Sequence, residues 1–563
     1  MRNDRLGVVL LPLVGILAAC GSDEGPPGNP ALNLTVSWRG EPAEYCATGT
    51  RLLQGDVQGD TPDEVEVTRN GTRVSAITPP YQFLVNCDQE SESTLDFRIR
   101  ARIGSRWASS ETKQVFIDRT PPSVSLVSPR EMDGIRKDSP IVLSFSEPIQ
   151  GFHPNHVSLS DDSGSLAHSA SLSEDRRWVT VVPSAPLRVP SKVRVSLFGG
   201  VITDNAGHPL REERASYSWE VLPFARAGKP VPLSATALAR RPSGAPWSVA
   251  RASATGALQV RRWTQAGWVD FGGPIPSGGQ GVALALTRDE RPVVASLERD
   301  PEGEKFVRVT HWKQNGGWEQ VGGPLLPSAD GWSSTEKLSM AVDSQGHPTV
   351  AWQEYSTVQV RRWTGTAWEA LGAPIGDFLN PAANPVVAVD SRDRVVLAYS
   401  MKLQSTSYMR VFVQVWQDGT WTAVGASLGG ERVSSLDEVA LVLGPDDAPI
   451  LAWNERFNED QLFVSRWANG AWASPRLLRT GKSLNLSLAT DANGRTLLAW
   501  VMVVPAEVGH QSKVYTARFE QGTWSDAAVA CVGYGSIATF SQDGTPMLWA
   551  NTGTGSYDMF IEH

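Results

Sequence analysis

The feature that most constrains what this chain can fold into is a repeat near fifty residues long. An apolar run ending in an aromatic, then a turn, then a tryptophan, occurs as Val260-Arg261-Arg262-Trp263 with Trp268 and as Val309-Thr310-His311-Trp312 with Trp318. It returns as Val360-Arg361-Arg362-Trp363 with Trp368, Val415-Trp416 with Trp421, Ser465-Arg466-Trp467 with Trp472, and Ala517-Arg518-Phe519 with Trp524. Successive first aromatics lie 49, 51, 53, 51 and 52 residues apart, a regularity chance does not produce. Between them sits a second landmark: AVDSQGHPTVAW from Ala341, AVDSRDRVVLAY from Ala388, and variants starting at Ala285, Leu441, Ala489 and Phe540, with a degenerate copy from Ala237. In each, two short apolar strands flank a turn of Asp, Gly, Asn or Pro, which is hairpin chemistry.

Each period therefore holds about four antiparallel strands, and that is the arithmetic of a β-propeller blade. Val358 and Val360 point one way while Trp363 points the other, so both faces of the strand pair are apolar and both need cover. Seventeen of the 21 tryptophans lie beyond residue 228, as large fillers at repeating wedge positions would. Seven copies of the first hairpin and six of the second bracket the count. Seven blades are expected, with Ser556–Ile561 and the segment near Val231-Pro232-Leu233 completing the last, because closure leaves no sheet edge exposed. Six blades, a bilobed sandwich and a linear solenoid are the alternatives.

The turns at Asp343-Ser344-Gln345-Gly346 and Ser541-Gln542-Asp543-Gly544 look like the aspartate box of sialidase-type propellers, without its full Ser-to-Trp spacing. In that family the box is a structural turn and carries no catalysis. The residue before each first aromatic is Arg262, His311, Arg362, Val415, Arg466 and Arg518. Arg262, Arg362, Arg466 and Arg518 on a common face would make a ring suited to carboxylate, sulfate or phosphate. The competing reading is packing, each arginine lying over a neighbouring aromatic or pairing with an acidic turn.

At the other end of the chain, Arg2 and Arg5 precede an apolar stretch from Leu6 to Ala19, too short for a membrane-spanning helix and suited to an export signal. It ends Leu17-Ala18-Ala19-Cys20-Gly21-Ser22 and there resembles the bacterial lipoprotein signal with its lipobox. The resemblance implies removal of residues 1–19, lipid attachment at Cys20 and, since no aspartate follows the cysteine, the outer membrane. Three acyl chains would exceed the two signals that stable anchoring needs. Residues 20–32 read as a flexible tether.

Residues 33–119 alternate with a two-residue period, as in Leu95-Asp96-Phe97-Arg98-Ile99, and are expected to form an immunoglobulin- or fibronectin-like β-sandwich. Its cysteines, Cys46 and Cys87, are expected to form a disulfide in an exported chain, worth roughly 3 to 4 kcal/mol, with two free buried thiols as the alternative. Asp118-Arg119-Thr120-Pro121-Pro122 reads as a connector. Residues 120–222 then carry Phe145-Ser146-Glu147-Pro148 and Asp204-Asn205-Ala206-Gly207, and resemble the bacterial immunoglobulin-like module of S-layer and other surface proteins. Glu147 and Asp204 are conceivable calcium ligands, although turn capping explains them more simply.

The expectation is thus an all-β chain: two immunoglobulin-like β-sandwiches, then a six- or seven-bladed β-propeller over residues 228–563. A net charge of -9 without a basic run leaves a nucleic-acid partner no footprint. Zinc helix, phosphate loop and Cys-x-x-Cys motifs are missing from the sequence, and no cofactor or metal is implied. Cys531 stands alone and is expected to be a buried thiol. The expected function is non-enzymatic: a monomeric, envelope-anchored lipoprotein that binds protein or glycan through propeller loops. A carbohydrate-active hydrolase, whose two carboxylates need no fixed sequence spacing, and a structural spacer are the alternatives.

Overall fold

The computed structural model describes residues 32–129, 136–212, 214–231, 234–239, 245–252, 256–264, 267–275, 279, 281–326, 337–505, 509–541, 543–551 and 557–563. Cys20 and the rest of the leader and tether up to residue 31 lie outside these residues. Within them the chain is nearly all β, and the helical residues are two single 3-10 turns, Cys87–Gln89 and Pro154–His156. Two compact units are formed: one from the residues up to Pro122 with Ile202–Arg211, the other from Ser123–Val201 with Glu212–His563.

In the first unit, Leu34–Trp38, Thr50–Gly59 and Gln82–Asn86 make a three-stranded sheet in that order. A six-stranded sheet runs Ala43–Cys46, Lys113–Ile117, Ser93–Ile103, Glu64–Arg69, Thr72–Ala76, with Arg106–Ser109 also paired to Ser93–Ile103. Alternation along the long strand turns Leu95, Phe97, Ile99 and Ala101 into a core shared with Val36, Leu53 and Val85 of the other sheet. Cys46 and Cys87 form the disulfide, bridging the two sheets inside that core. Lys113 is buried yet satisfied: its ammonium lies 2.8 Å from a Glu44 carboxylate oxygen and donates to the carbonyls of Arg39 and Glu41.

The second unit opens with two four-stranded antiparallel sheets. One runs Val124–Ser128, Ile141–Phe145, Trp178–Pro183, His168–Leu172; the other runs Gly164–Ser165, Val157–Asp161, Ser191–Phe198, Arg214–Val221. Their buried positions alternate as half-exposed strands require, for example Ile141, Leu143 and Phe145.

Seven sheets built on four antiparallel strands follow, numbered here in chain order. The first is Ser234–Ala239, Trp247–Arg251, Leu258–Thr264, Gly267–Ile275; the second Val282–Leu286, Pro292–Arg299, Lys305–Trp312, Trp318–Gln320. The third is Leu338–Val342, Pro348–Glu354, Thr357–Trp363, Trp368–Ala370; the fourth Ala382–Val389, Val395–Leu403, Tyr408–Gln417, Thr420–Ala423. The fifth is Val439–Leu443, Pro449–Arg456, Asp460–Ala468, Ala471–Trp472, and the sixth Ser483–Thr490, Thr496–Pro505, His510–Glu520, Thr523–Trp524. In the fifth and sixth, Arg476–Thr480 and Ala528–Val532 add to the third strands. The seventh joins distant parts of the chain: Ser536–Phe540, Pro546–Asn551 and Tyr557–Glu562 pair onward to Phe224–Val231. Each sheet is an open path, and none closes on itself into a barrel.

Turn chemistry sets the third-to-fourth hairpins. Asp418-Gly419, Asn469-Gly470 and Gln521-Gly522 hold both central residues at positive φ, the geometry that matches strand twist. Antiparallel order then puts these turns and the acidic turns at one end of each sheet. The second-to-third turns, with the connections to the next sheet, lie at the other.

Neighbouring sheets are joined by a repeated device. The first aromatic and second tryptophan of a period meet edge to face, as in Trp363 and Trp368 at 5.5 Å. The second tryptophan's indole N–H then donates to a backbone carbonyl of the preceding sheet or the segment just after it: Trp318 to Gly273, Trp368 to Val321, Trp421 to Leu371, Trp472 to Val424. Beside that carbonyl a glycine at positive φ leaves room for the first aromatic, and a Cβ on Gly322 would stand 2.5 Å from the Trp363 ring. Trp268 of the first sheet packs edge-on against Trp549 of the seventh at 4.4 Å.

Candidate functional site

At the acidic-turn end, the first residue of the turn caps it. One carboxylate oxygen of Asp343 accepts the amides of Gln345 and His347, and Asp390 and Asp491 do the same two residues and four residues on. The other oxygen takes a guanidinium: Arg362 on Asp343, Arg394 on Asp390, Arg495 on Asp491. Thr287 and Ser541 cap through their hydroxyls instead, and those hydroxyls, donated to Asp289 and Asp543, hold both carboxyls below their ordinary values.

The turns also latch sheet to sheet. Ser344 donates its amide and hydroxyl to Asp393 of the next sheet, and Ser391 donates likewise to Asp447. Asp393 and Asp447 occupy the left-handed position taken by Gly346, Gly494 and Gly544 elsewhere, which aspartate tolerates better than most residues.

The four arginines of the repeat lie in four different sheets, each on a third strand, and each meets a carboxylate. Arg262 reaches Glu290 of the next sheet at 3.4 Å and lies over the Trp247 ring; Arg362 binds Asp343 and the Asp393 carbonyl. Arg466 binds Asp446 at 2.7 Å and lies over Phe519; Arg518 binds Glu562 and lies over Phe224. His311, at the same repeat position, faces Glu319.

Two grooves open at this end. One, of about 520 Å³, lies between the fourth and fifth sheets and is lined by Arg392, Gln417, Thr422, Asp446, Trp467 and Asn469 among others. The second, about 360 Å³, lies between the fifth and sixth, where Arg466 and Arg495 are both already paired.

The opposite end is different in kind. Tyr355, in the second-to-third turn of the third sheet, is 63% exposed and sits at φ 34°, a conformation bulky residues avoid. Phe378 and Leu379, in the connection leaving that sheet, are 79% and 55% exposed. The two loops touch, since Ala382 donates to the Ser356 carbonyl. The Phe378 loop is pinned: Asp377 accepts the amides of Leu379 and Asn380, and the Asn380 side chain accepts the amide of Gln404 from the fourth sheet. The Asn380 and Leu379 amides hold the Asp377 carboxyl below its ordinary value. Leu326, Phe457, Val503 and Tyr534 are exposed at the same ends of other sheets. This surface is not legible in the sequence, because isolated apolar residues inside polar loops break no periodicity.

In the first unit, one ligand atom from each of Asp118, Asp204 and His208 lies within 4.8 Å of the others. Asp204 is buried and already bonds the His208 amide and ring nitrogen, at 2.9 and 2.8 Å, so it caps its own turn; Glu147 is not part of the group. Cys531 is buried, and burial pushes its thiol well above the ordinary range.

Comparison with known proteins adds little beyond one domain. No curated protein matches the chain. Among solved structures, a protein of unknown function from Dyadobacter fermentans is 14% identical, with 50% of this chain and 93% of that one covered, at a TM-score of 0.36. AofleA from Arthrobotrys oligospora is 15% identical over 55% and 90% of the two chains, TM-score 0.35. An endo-arabinase from Bacteroides thetaiotaomicron is 12% identical over 41% and 94%, TM-score 0.28. None of these scores reaches the level of a shared fold. Residues 118–221, by contrast, match the bacterial Ig-like domain family, so this chain carries such a domain.

Proposed function

We propose that the chain is an exported, lipid-anchored recognition protein in which the seven repeated sheets are the blades of a β-propeller. The shared joints between consecutive sheets, the Trp268–Trp549 packing and the pairing of Phe224–Val231 with Tyr557–Glu562 support that arrangement. Lipid attachment at Cys20 would fix it to the envelope. Palmitate label incorporated by the wild type and lost in Cys20→Ser tests that anchor.

The partner we assign to the apolar end is a protein, and one observation carries the reading. Tyr355, Phe378 and Leu379 all stand exposed, and the loop that carries Phe378 and Leu379 is fixed by its own hydrogen bonds through Asp377 and Asn380. A flexible loop would tuck such side chains away; a fixed display of tyrosine, phenylalanine and leucine is the make-up of a binding hot spot. The experiment is capture from envelope extract, followed by purification of the captured protein and titration against Phe378→Ser and Tyr355→Ser. Loss of about tenfold or more in affinity supports the reading. A partner that binds both variants as it binds wild type, or no partner at all, contradicts it.

A further inference from the structure

We infer that the groove between the fourth and fifth sheets is a binding site for an uncharged sugar unit. It lies at the acidic-turn end, away from the apolar loops, and goes beyond the protein-docking reading without depending on it. Its volume of about 520 Å³ falls within the range of small-molecule sites, roughly 300–1,000 Å³.

The lining offers a fixed ring and unused polar groups. Trp467 is set in place by Trp472 at 5.5 Å and by Gly425, where a Cβ would stand 2.4 Å from the indole. Such a ring offers the apolar C–H face of a pyranose a surface that needs no reordering on binding. Arg392, Asn469 and Thr422 all line the groove, and their side chains bond no other group among the described residues, whereas Arg394 is held by Asp390 and Gln417. Arg392 is also out of pattern. The same turn position holds Asp289, Gln345, Asp446, Asn493 and Asp543 in other sheets, so the turn itself does not call for a cation.

Charge selects the ligand class. Asp390 is paired with Arg394 and Asp446 with Arg466; Asp447 bonds Ser391, and Arg392 forms no ion pair among the described residues, so the opposite charges of the groove are nearly equal in number. An anion would face three carboxylates and a cation would face the guanidinium groups. Sugar hydroxyls suit the set, because each can donate to Asp446 or Asp447 while accepting from Arg392 or Asn469.

Saturation-transfer NMR on the full chain tests the site, using the methyl glycosides of glucose, galactose, mannose and fucose with glucuronate and glucosamine as charged counterparts. At least one neutral glycoside is expected to bind more tightly than either charged sugar. Arg392→Ala should weaken it about tenfold with no change in melting temperature, since that side chain has no structural partner. Phe378→Ser should leave sugar binding unchanged, which separates this site from the protein-docking end. No transfer from any neutral glycoside, tighter binding of a charged sugar, an unaffected Arg392→Ala or a loss in Phe378→Ser would each overturn the assignment.

Discussion

Asp393, at φ 60°, accepts both the amide and the hydroxyl of Ser344 from the preceding sheet, at 2.8 and 2.5 Å. A backbone position that glycine fills in other copies is here given to a side chain that ties two sheets together. Burial alone would raise this carboxyl, but the Ser344 bonds, with Arg362 and His347 close by, outweigh it and hold it below the ordinary aspartate value. Asp393→Gly keeps the left-handed turn and removes the tie, so it isolates that contribution. The expected loss is about 1–2 kcal/mol at neutral pH, measured by urea unfolding. Because the folded pKa is depressed, the difference from wild type is present above about pH 4 and fades as the pH falls further.

The joint at Gly322 is tested by size. Gly322→Ala places a Cβ against the Trp363 ring at a positive φ, and should cost about 1–3 kcal/mol. Gly323→Ala, whose added carbon meets nothing within 4 Å, should melt like wild type.

Cys46 and Cys87 close a loop with a sequence separation of 41. Replacing both with alanine should lower the stability of the first unit by about 4 kcal/mol on the chain-entropy account. A downward shift of the first unit's transition in calorimetry, with the repeat domain's transition unchanged, is the expected record.

His563 sets a pH dependence near neutrality. Its Nδ1 accepts the Lys137 amide at 3.1 Å, so Nε2 carries the proton and donates to the Leu222 carbonyl at 3.0 Å. Burial depresses its pKa; the Leu222 bond and Asp138 oppose that, while Lys137 and Arg136 reinforce it. A depressed folded pKa means stability is full above about pH 6.5 and is lost as the pH falls through the folded value. His563→Gln should flatten thermal stability measured between about pH 5 and 7.

Much of this architecture is legible from the residues. The spacing of Trp263, Trp312, Trp363, Trp416, Trp467 and Phe519 marks the strands because each four-stranded unit repeats the same aromatic position. Alternation around Phe97 marks the first sandwich, and Cys46 and Cys87, the two cysteines of that segment, are joined. The glycines at 272, 322, 372 and 425, each four residues after a second tryptophan, were equally visible in the sequence, yet their meaning appears only once the next sheet's aromatic is seen resting on them. The arginines could not be read from spacing alone. Periodicity places Arg362 and Arg466 on equivalent strands, but which carboxylate each meets depends on how neighbouring turns approach. The exposed Phe378 loop and the free Arg392 are single-copy departures from the repeat, and a repeat pattern has no means of weighing those.

Pairing of the two ends of the repeat domain in one sheet is what the account rests on most, and a cross-link tests it. Ala225 and Ile561 are register partners in the seventh sheet. Antiparallel partners lie about 4.5–5.5 Å apart at Cα, within reach of a disulfide. Ala225→Cys combined with Ile561→Cys should oxidise to an intrachain disulfide found by peptide mapping and raise the melting temperature. Two free thiols under the same oxidising conditions would contradict the pairing, and the propeller with it.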